Sequence, residues 1–457
     1  MPTKVLVPAG VLGLGFDDEA LARGIAAAPD IICIDGGSTD SGPFYLGTGT
    51  SKYARSVCRD EWRSLMLARE AAQVPLVIGS CGTCGTHETV DWMFDITLEL
   101  AAELGQSITV TRLYSDMPAS DIAKALADGR VNPLVPAPVI DAETIHACDH
   151  IVALAGAEHI QAALATGADI VLAGRTTDTA TIAALPLLRG EHAGAVWHGA
   201  KIGECGAFCT TKPSSGVVMI TFDEDGFIVE PMAEDAVCTP HSVSAHMLYE
   251  NSDPYILYEP GGHLDVTAAR YHALDDRQVR VTGSQWVPAE AYDVKLEAAR
   301  IAGYQTTMLA VIREAQYVSR VREWIDDLTA YLHQRIARNM RLSTDDYTME
   351  FRLIGVDSAL GELETRQGTP AEIGVQVIIT AADQETATDL ARLINPFLLH
   401  HPLDSQGDLP TFAFPYSPAH SERGALYEFA MNHVLQLDHP MDGFKLKTDK
   451  VGYGKAG

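Results

Sequence analysis

Short runs of aliphatic and β-branched residues recur through the first 175 positions: KVLVPAG from residue 4, DIICIDGG from 30, VPLVIGS from 74, SITVTRLYS from 107, HIVALAG from 150 and DIVLAGR from 169. Each has the length of a strand, and most end in small or polar loop residues. Between several of them lie alanine-rich amphipathic stretches, 89–104 and 157–167, with the spacing of a helix that buries one face. Strand–helix alternation at this interval predicts an α/β domain: a mainly parallel sheet with helices on both faces and ligands at the carboxyl ends of the strands.

From about residue 213 the texture changes to strands and turns. GVVMITFDEDGFIVEP reads as a hairpin around Asp-Gly, and RQVRVTGSQWVP adds a further strand signal. A helix is expected at about 314–340, followed by strand, strand and helix in YTMEFRLIGVD, EIGVQVIITAAD and QETATDLARLINPFLLH. The pattern divides the chain into an α/β ligand-binding domain at 1–212, a β-rich extension with a linking helix at 213–340, and a small α+β domain, ferredoxin-like, at 341–457. A short helix is expected in the tail over GALYEFAMNHVLQL.

Composition narrows the function classes. The 457 residues carry a net charge of −28, so the surface repels phosphodiester backbones, and no basic patch offsets it; nucleic acid is not an expected partner. No run approaches the roughly 18 uninterrupted apolar residues of a membrane span, and the N-terminus lacks a long apolar segment with a cleavage site. The reading is a cytoplasmic protein, a homo-oligomer, with a small anionic substrate. Eight cysteines, all in the first 240 residues and without a framework spacing, read as reduced thiols.

Three loops at predicted strand ends carry the chemistry. After VPLVIG come Ser80, Cys81, Gly82, Thr83, Cys84 and Gly85, and then a helix. A glycine-rich turn at a helix N-terminus aims unpaired N–H groups at a ligand, so Gly79, Ser80, Gly82 and Gly85 are expected to bind an anion. The Cys-x-x-Cys spacing of Cys81 and Cys84 competes as a redox or zinc motif, although no second pair completes a zinc tetrad. A plain structural turn is the third reading. In the second loop Asp35 ends a strand ahead of Gly37, Ser38, Thr39 and Asp40, which suits a base or metal ligand beside small substrate-binding residues; a solvated Asx turn is the alternative. In the third, Arg175, Thr176 and Asp178 follow a strand. Arg175 is either a carboxylate or phosphate clamp oriented by Asp178, or the partner of Asp178 acting as a helix cap.

Further acid–base candidates are His198 and Lys201, close to Glu204, Cys205 and Cys209, and Glu259 beside the double glycine of YEPGGHLDV. Asp35 or Glu259 would serve as base, His198 or Lys201 as acid. Lys295, Glu297 and Arg300 form either a salt-bridged frame or a second acid–base source. No metal site is assigned and no cofactor is required, but a divalent metal stays open.

Five segments, AGRTTDTATIAALPL, AVWHGAKIGECGAFC, CTPHSVSAHMLYENSDPYILYEPGGHLDV, DDRQVRVTGS and VKLEAARIAGY, occur in an order that resembles the acyclic terpene utilisation protein family, AtuA. The resemblance covers most of residues 4–310. It implies a place in bacterial catabolism of branched acyclic terpenoids, whose later intermediates are acids and CoA thioesters. The family's glycine loop is usually built from Gly, Ser and Ala, so Cys81 and Cys84 look like local variants. The combined reading is an enzyme of carboxylic acid or acyl-CoA catabolism, a lyase or hydratase. A hydrolase using Ser38 or Ser80, or a non-catalytic acyl-CoA-binding subunit, are the alternatives.

Overall fold

The computed structural model describes residues 2–366, 368–404, 409–410 and 412–452. The chain forms two compact units, one of residues 1–300 with 429–457 and one of residues 301–428.

All six predicted N-terminal strands form. Five of them, Thr3–Val7, Ile31–Asp35, Leu76–Gly79, Ile170–Ala173 and Ile108–Tyr114, lie side by side in that order and parallel. Their residues alternate between two cores, as a pleated sheet covered on both faces requires. Ile32, Ile34, Leu76 and Ile78 pack with Trp62, Leu65 and Val90 from helices Arg55–Ala72 and His87–Leu104. Val5, Cys33, Val77 and Val171 pack on the other face with Ile160, Ile182 and Val196 from helices Ala157–Leu164, Asp178–Leu188 and Ala193–Gly203.

The sheet is mixed rather than mainly parallel. The hairpin Val218–Phe222 and Gly226–Pro231 adds antiparallel to Thr3–Val7, and Val279–Thr282 and Arg270–Ala273 extend that edge. Lys445–Val451 closes the opposite edge antiparallel to Ile108–Tyr114, which makes ten strands. An antiparallel hairpin needs no crossover helix, so it can seat itself on an open edge. His150–Ala153 leaves the main sheet and pairs antiparallel with Leu296–Ala299. Ile256–Glu259, Gly262–Asp265 and Gln285–Pro288 form a separate three-stranded sheet.

In the second unit, helix Val321–Asn339 and strands Tyr347–Ile354 and Ile373–Ala381 are followed by helix Gln384–His400. Residues 304–312 pair antiparallel with Ile373–Ala381, which also pairs with Tyr347–Ile354. Trp324, Leu328, Ile379 and Leu390 fill the core between helices and sheet. The stretch expected as a tail helix lies instead in strand His420–Leu437. Met431, His433, Leu435 and Leu437 are buried while Asn432, Val434 and Gln436 are not, a period of two that a helix cannot satisfy.

Candidate functional site

Three of the parallel strands end side by side in Asp35, Gly79 and Ala173, and the loops that follow are stitched together by their backbones. Gly36 N–H donates to the Gly79 carbonyl at 2.7 Å, Thr83 N–H to Gly36 at 2.9 Å, Ser80 N–H to Gly174 at 2.9 Å, and Arg175 N–H to Gly85 at 3.1 Å. The glycines serve this close approach. Gly85 has φ +63°, and a Cβ there would fall on the Arg175 backbone; one on Gly82, with φ +61°, would strike the Thr89 side chain at 2.8 Å. The expected cradle of free N–H groups is not what the loop offers: the Ser80 and Gly85 N–H groups are taken by the carbonyls of Gly174 and Cys81. Ser80 and Thr83 also have left-handed backbones, φ +43° and +81°. For a β-branched threonine that is a strained conformation of the kind held at functional sites.

These loops floor a cleft of about 390 Å³ lined by Asp35, Gly37, Ser38, Asp40, Thr83 and Asp178, with Lys52, Tyr53, Tyr249, Glu250 and Cys205 around its walls. That volume is in the range of small-molecule sites. Asp35 is 6% exposed, and burial followed by the nearby Asp178 carboxylate pushes its pKa well above the usual range. Burial also raises Asp178, against the pull of Arg175. The two carboxyls act on each other: the Asp178 charge raises Asp35 further, while the Arg175 guanidinium pulls both down. Asp35 also accepts the Gly36 N–H at 2.7 Å. Asp178 opens helix Asp178–Leu188, where the helix dipole favours its negative charge.

Arg175 is wholly engaged inside the protein. Its Nε donates to Glu297 Oε2 at 3.0 Å and Nη1 to Ser80 Oγ at 3.0 Å and the Thr176 carbonyl at 3.1 Å, with Asp178 3.6 Å away. Burial opposes the Glu297 charge, but Arg175 outweighs it and holds the carboxyl down at about 2. Thr39 Oγ1 donates to the same Glu297 at 2.9 Å, and so faces away from the cleft. Arg175 therefore frames the site with Asp178 and Glu297, and its donors are not left over for a substrate. Thr176 is buried against Ser80.

The other expected acid–base groups divide. His198 is remote: its Nδ1 meets Ser284 Oγ at 2.7 Å and its Nε2 meets Tyr271 Oη at 3.2 Å, in a buried setting that drops its pKa to about 3. Lys201 is buried behind the cleft, ion-paired with Glu204 and donating to the Tyr249 carbonyl at 2.7 Å. Glu259 accepts from Thr179 Oγ1, and burial raises it to about 7. Cys81 and Cys84 are buried free thiols, and desolvation raises both pKa values, which leaves neither thiolate character. Lys52 and Tyr53 belong to none of the motifs picked out in the sequence, and Tyr249 and Glu250 lie in a family-resembling segment but are not among the expected site residues. The only sequence hint is that Lys52 and Tyr53 close the glycine-rich run after Asp35.

The family model of the acyclic terpene utilisation family protein AtuA matches residues 50–420. No curated protein and no solved structure matches the chain.

Proposed function

Since the chain belongs to the acyclic terpene utilisation family AtuA, which ties it to acyclic terpene catabolism, we propose that it is an acid–base enzyme, a hydro-lyase or hydratase acting on a branched carboxylic acid or acyl-CoA thioester. The observation that carries this reading is the pair of carboxyls, Asp35 and Asp178, that line the cleft floor together, both raised by burial. Elimination of water needs a base to take the proton α to the carbonyl and an acid to protonate the departing hydroxyl. Two carboxyls whose surroundings separate their proton affinities supply both. Asp178, partly open to the cleft and drawn toward its ionised form by Arg175, is the base; Asp35, the more deeply buried of the two, is the acid. Lys52, with Nζ 2.8 Å from Ser41 Oγ at the rim, is the cleft's cation and receives the carboxylate or thioester carbonyl. Asp40 and Glu250 then keep a second negative charge away from the opposite wall.

The hydrolase reading has less support. Ser80 Oγ accepts from the Arg175 guanidinium, and Ser38 Oγ is bonded to Asp40 rather than to a histidine. Incubation of the purified protein in D2O with 3-hydroxy acids, enoic acids and their CoA esters tests the proposal. Reversible water addition with deuterium at the α carbon is expected, abolished in Asp35→Asn and Asp178→Asn, with a raised KM in Lys52→Ala. Release of free CoA would identify a hydrolase instead, and tight CoA-ester binding without turnover a carrier subunit.

A further inference from the structure

Behind the wall that Cys205 contributes to the cleft, three potential ligands from two chain segments converge. Glu204 caps helix Ala193–Gly203 and Cys205 follows it, while His246 comes from the end of helix Pro240–Ala245. One carboxylate oxygen, one Sγ and one imidazole nitrogen lie within 4.8 Å of one another. We propose that Glu204, Cys205 and His246 bind a divalent transition metal, zinc foremost, whose remaining coordination positions open toward the cleft.

Four observations support the site independently of any reaction. First, His246 is 5% exposed and its Nε2 has no hydrogen-bond partner among the described residues. A buried polar atom left without a partner is destabilising, and a metal ion at Nε2 removes that penalty. The ring is held in plane by stacking on Tyr249, centroids 5.2 Å apart and 4° from parallel. Second, the charges facing this pocket are unbalanced. Lys201 is ion-paired with Glu204 and also draws on Asp178, Glu250 and Glu259, yet burial outweighs it and raises all four carboxyls. Arg175 is already answered by Glu297. A divalent cation offsets that excess of acid.

Third, Lys201 engages one Glu204 oxygen, Oε1, which leaves Oε2 for a metal and fixes the carboxylate's orientation, as outer partners of metal ligands do. Fourth, the donor set has a preference. Thiolate, imidazole and carboxylate suit zinc or cobalt, whereas magnesium and calcium take oxygen alone. Zinc bonds of about 2.0–2.3 Å place tetrahedral ligand atoms about 3.5 Å apart. The ligand atoms already lie within 4.8 Å of one another, so the closure required is at most about 1.3 Å. Binding releases the Cys205 thiol proton to solvent as the metal–sulfur bond forms.

Cobalt(II) titration of the chelator-stripped full-length protein is the test, because cobalt reports on sulfur ligation. The expected result is saturable binding with a near-ultraviolet thiolate-to-cobalt charge-transfer band, bleached by added zinc. Cys205→Ser and His246→Gln should each lose the band and weaken binding by about tenfold or more, with an unchanged far-ultraviolet spectrum. The other histidine–carboxylate group among the described residues, Glu88, Asp116 and His150, has no sulfur and cannot give the band. The wild-type protein provides a readout that needs no variant: zinc should slow alkylation of Cys205, as followed by peptide mass spectrometry. Cobalt binding without the band, full-strength binding by Cys205→Ser, no binding at all, or alkylation indifferent to zinc would each overturn the assignment. None of these readouts depends on turnover, so failure of the hydro-lyase reading and failure of this one are distinguishable.

Discussion

Replacing Arg175 by methionine should cost more than the loss of one surface cation, and the cost should have a particular pH dependence. Glu297 is 7% exposed on its side chain and sits at a pKa of about 2 against an ordinary 4.5. At 1.36 kcal/mol per unit, Arg175 and its neighbours favour the Glu297 carboxylate by about 3 kcal/mol. Without Arg175 the charge stays buried with Thr39 and the more distant Lys295, 3.4 Å away, as its remaining partners. Breaking a buried pair from one side costs about 3–5 kcal/mol, so Arg175→Met should lose about 3 kcal/mol at pH 7. The wild-type contribution of Glu297 is complete above its unfolded value of 4.5 and is lost as pH falls toward 2. In the variant, burial raises the Glu297 pKa instead, so its deficit should shrink between pH 7 and pH 5. The double variant Arg175→Met/Glu297→Gln should recover about 2 kcal/mol of the loss, because no charge is left stranded. Urea unfolding followed by tryptophan fluorescence is the assay. Trp62, Trp92, Trp197 and Trp286 lie in the first unit and Trp324 in the second, so the signal reports mainly on the unit that carries the site. A double variant no more stable than Arg175→Met, or a deficit that is the same at pH 5 and pH 7, would refute the reasoning.

Three other outcomes follow from the geometry. Cys81→Ser/Cys84→Ser should retain activity within a few-fold, since both thiols are buried and protonated; a native protein whose Cys81 and Cys84 alkylate rapidly at pH 7 would contradict this. Gly85→Val should abolish both activity and ligand binding and lower the melting temperature by several degrees, because the φ of +63° and the Arg175 backbone leave no room for a side chain. His198→Phe should leave the pH profile of kcat unmoved; its neutral burial means that the wild type loses stability as pH falls from 6.5 toward 3, and the variant should lose less over that window, as acid-unfolding curves would record.

Which parts of this arrangement could be read from the chain depends on how local their causes are. The parallel strands were legible because residues such as Ile31–Ile34 and Val171–Ala173 are buried on both faces and so form unbroken apolar runs. HIVA looks the same in sequence, yet it pairs with Leu296–Ala299, a choice set by partners about 145 residues away. Residues 424–437 misled because Leu426, Phe429, Ala430, His433 and Leu437 fit a helical stripe by coincidence, while tertiary pairing uses every second residue. Asp35 and Asp178 were visible as carboxylates in loops after strands, but that they share one cleft floor was not. Arg175 offered two readings, and only the position of Glu297 decides in favour of the frame. Tyr249 and Glu250 sit in a segment that resembles the family, but in a turn with no chemical spacing of its own, so only the folded chain brings them to the cleft.

The edge strand Lys445–Val451 has a consequence for synthesis. It pairs with Ile108–Tyr114, and Asp449 shares Arg112 with Asp91, bonds that span 337 residues for the first and 21 for the second. A ribosome exposes the chain from its amino end, so Ile108–Tyr114 emerges long before its cover does. Throughout that interval a strand edge with unpaired backbone groups is open to any neighbouring chain. At about 5–20 residues per second the wait lasts on the order of tens of seconds. Recombinant yield should therefore depend on chaperone supply and temperature during expression more steeply than the finished protein's stability would suggest.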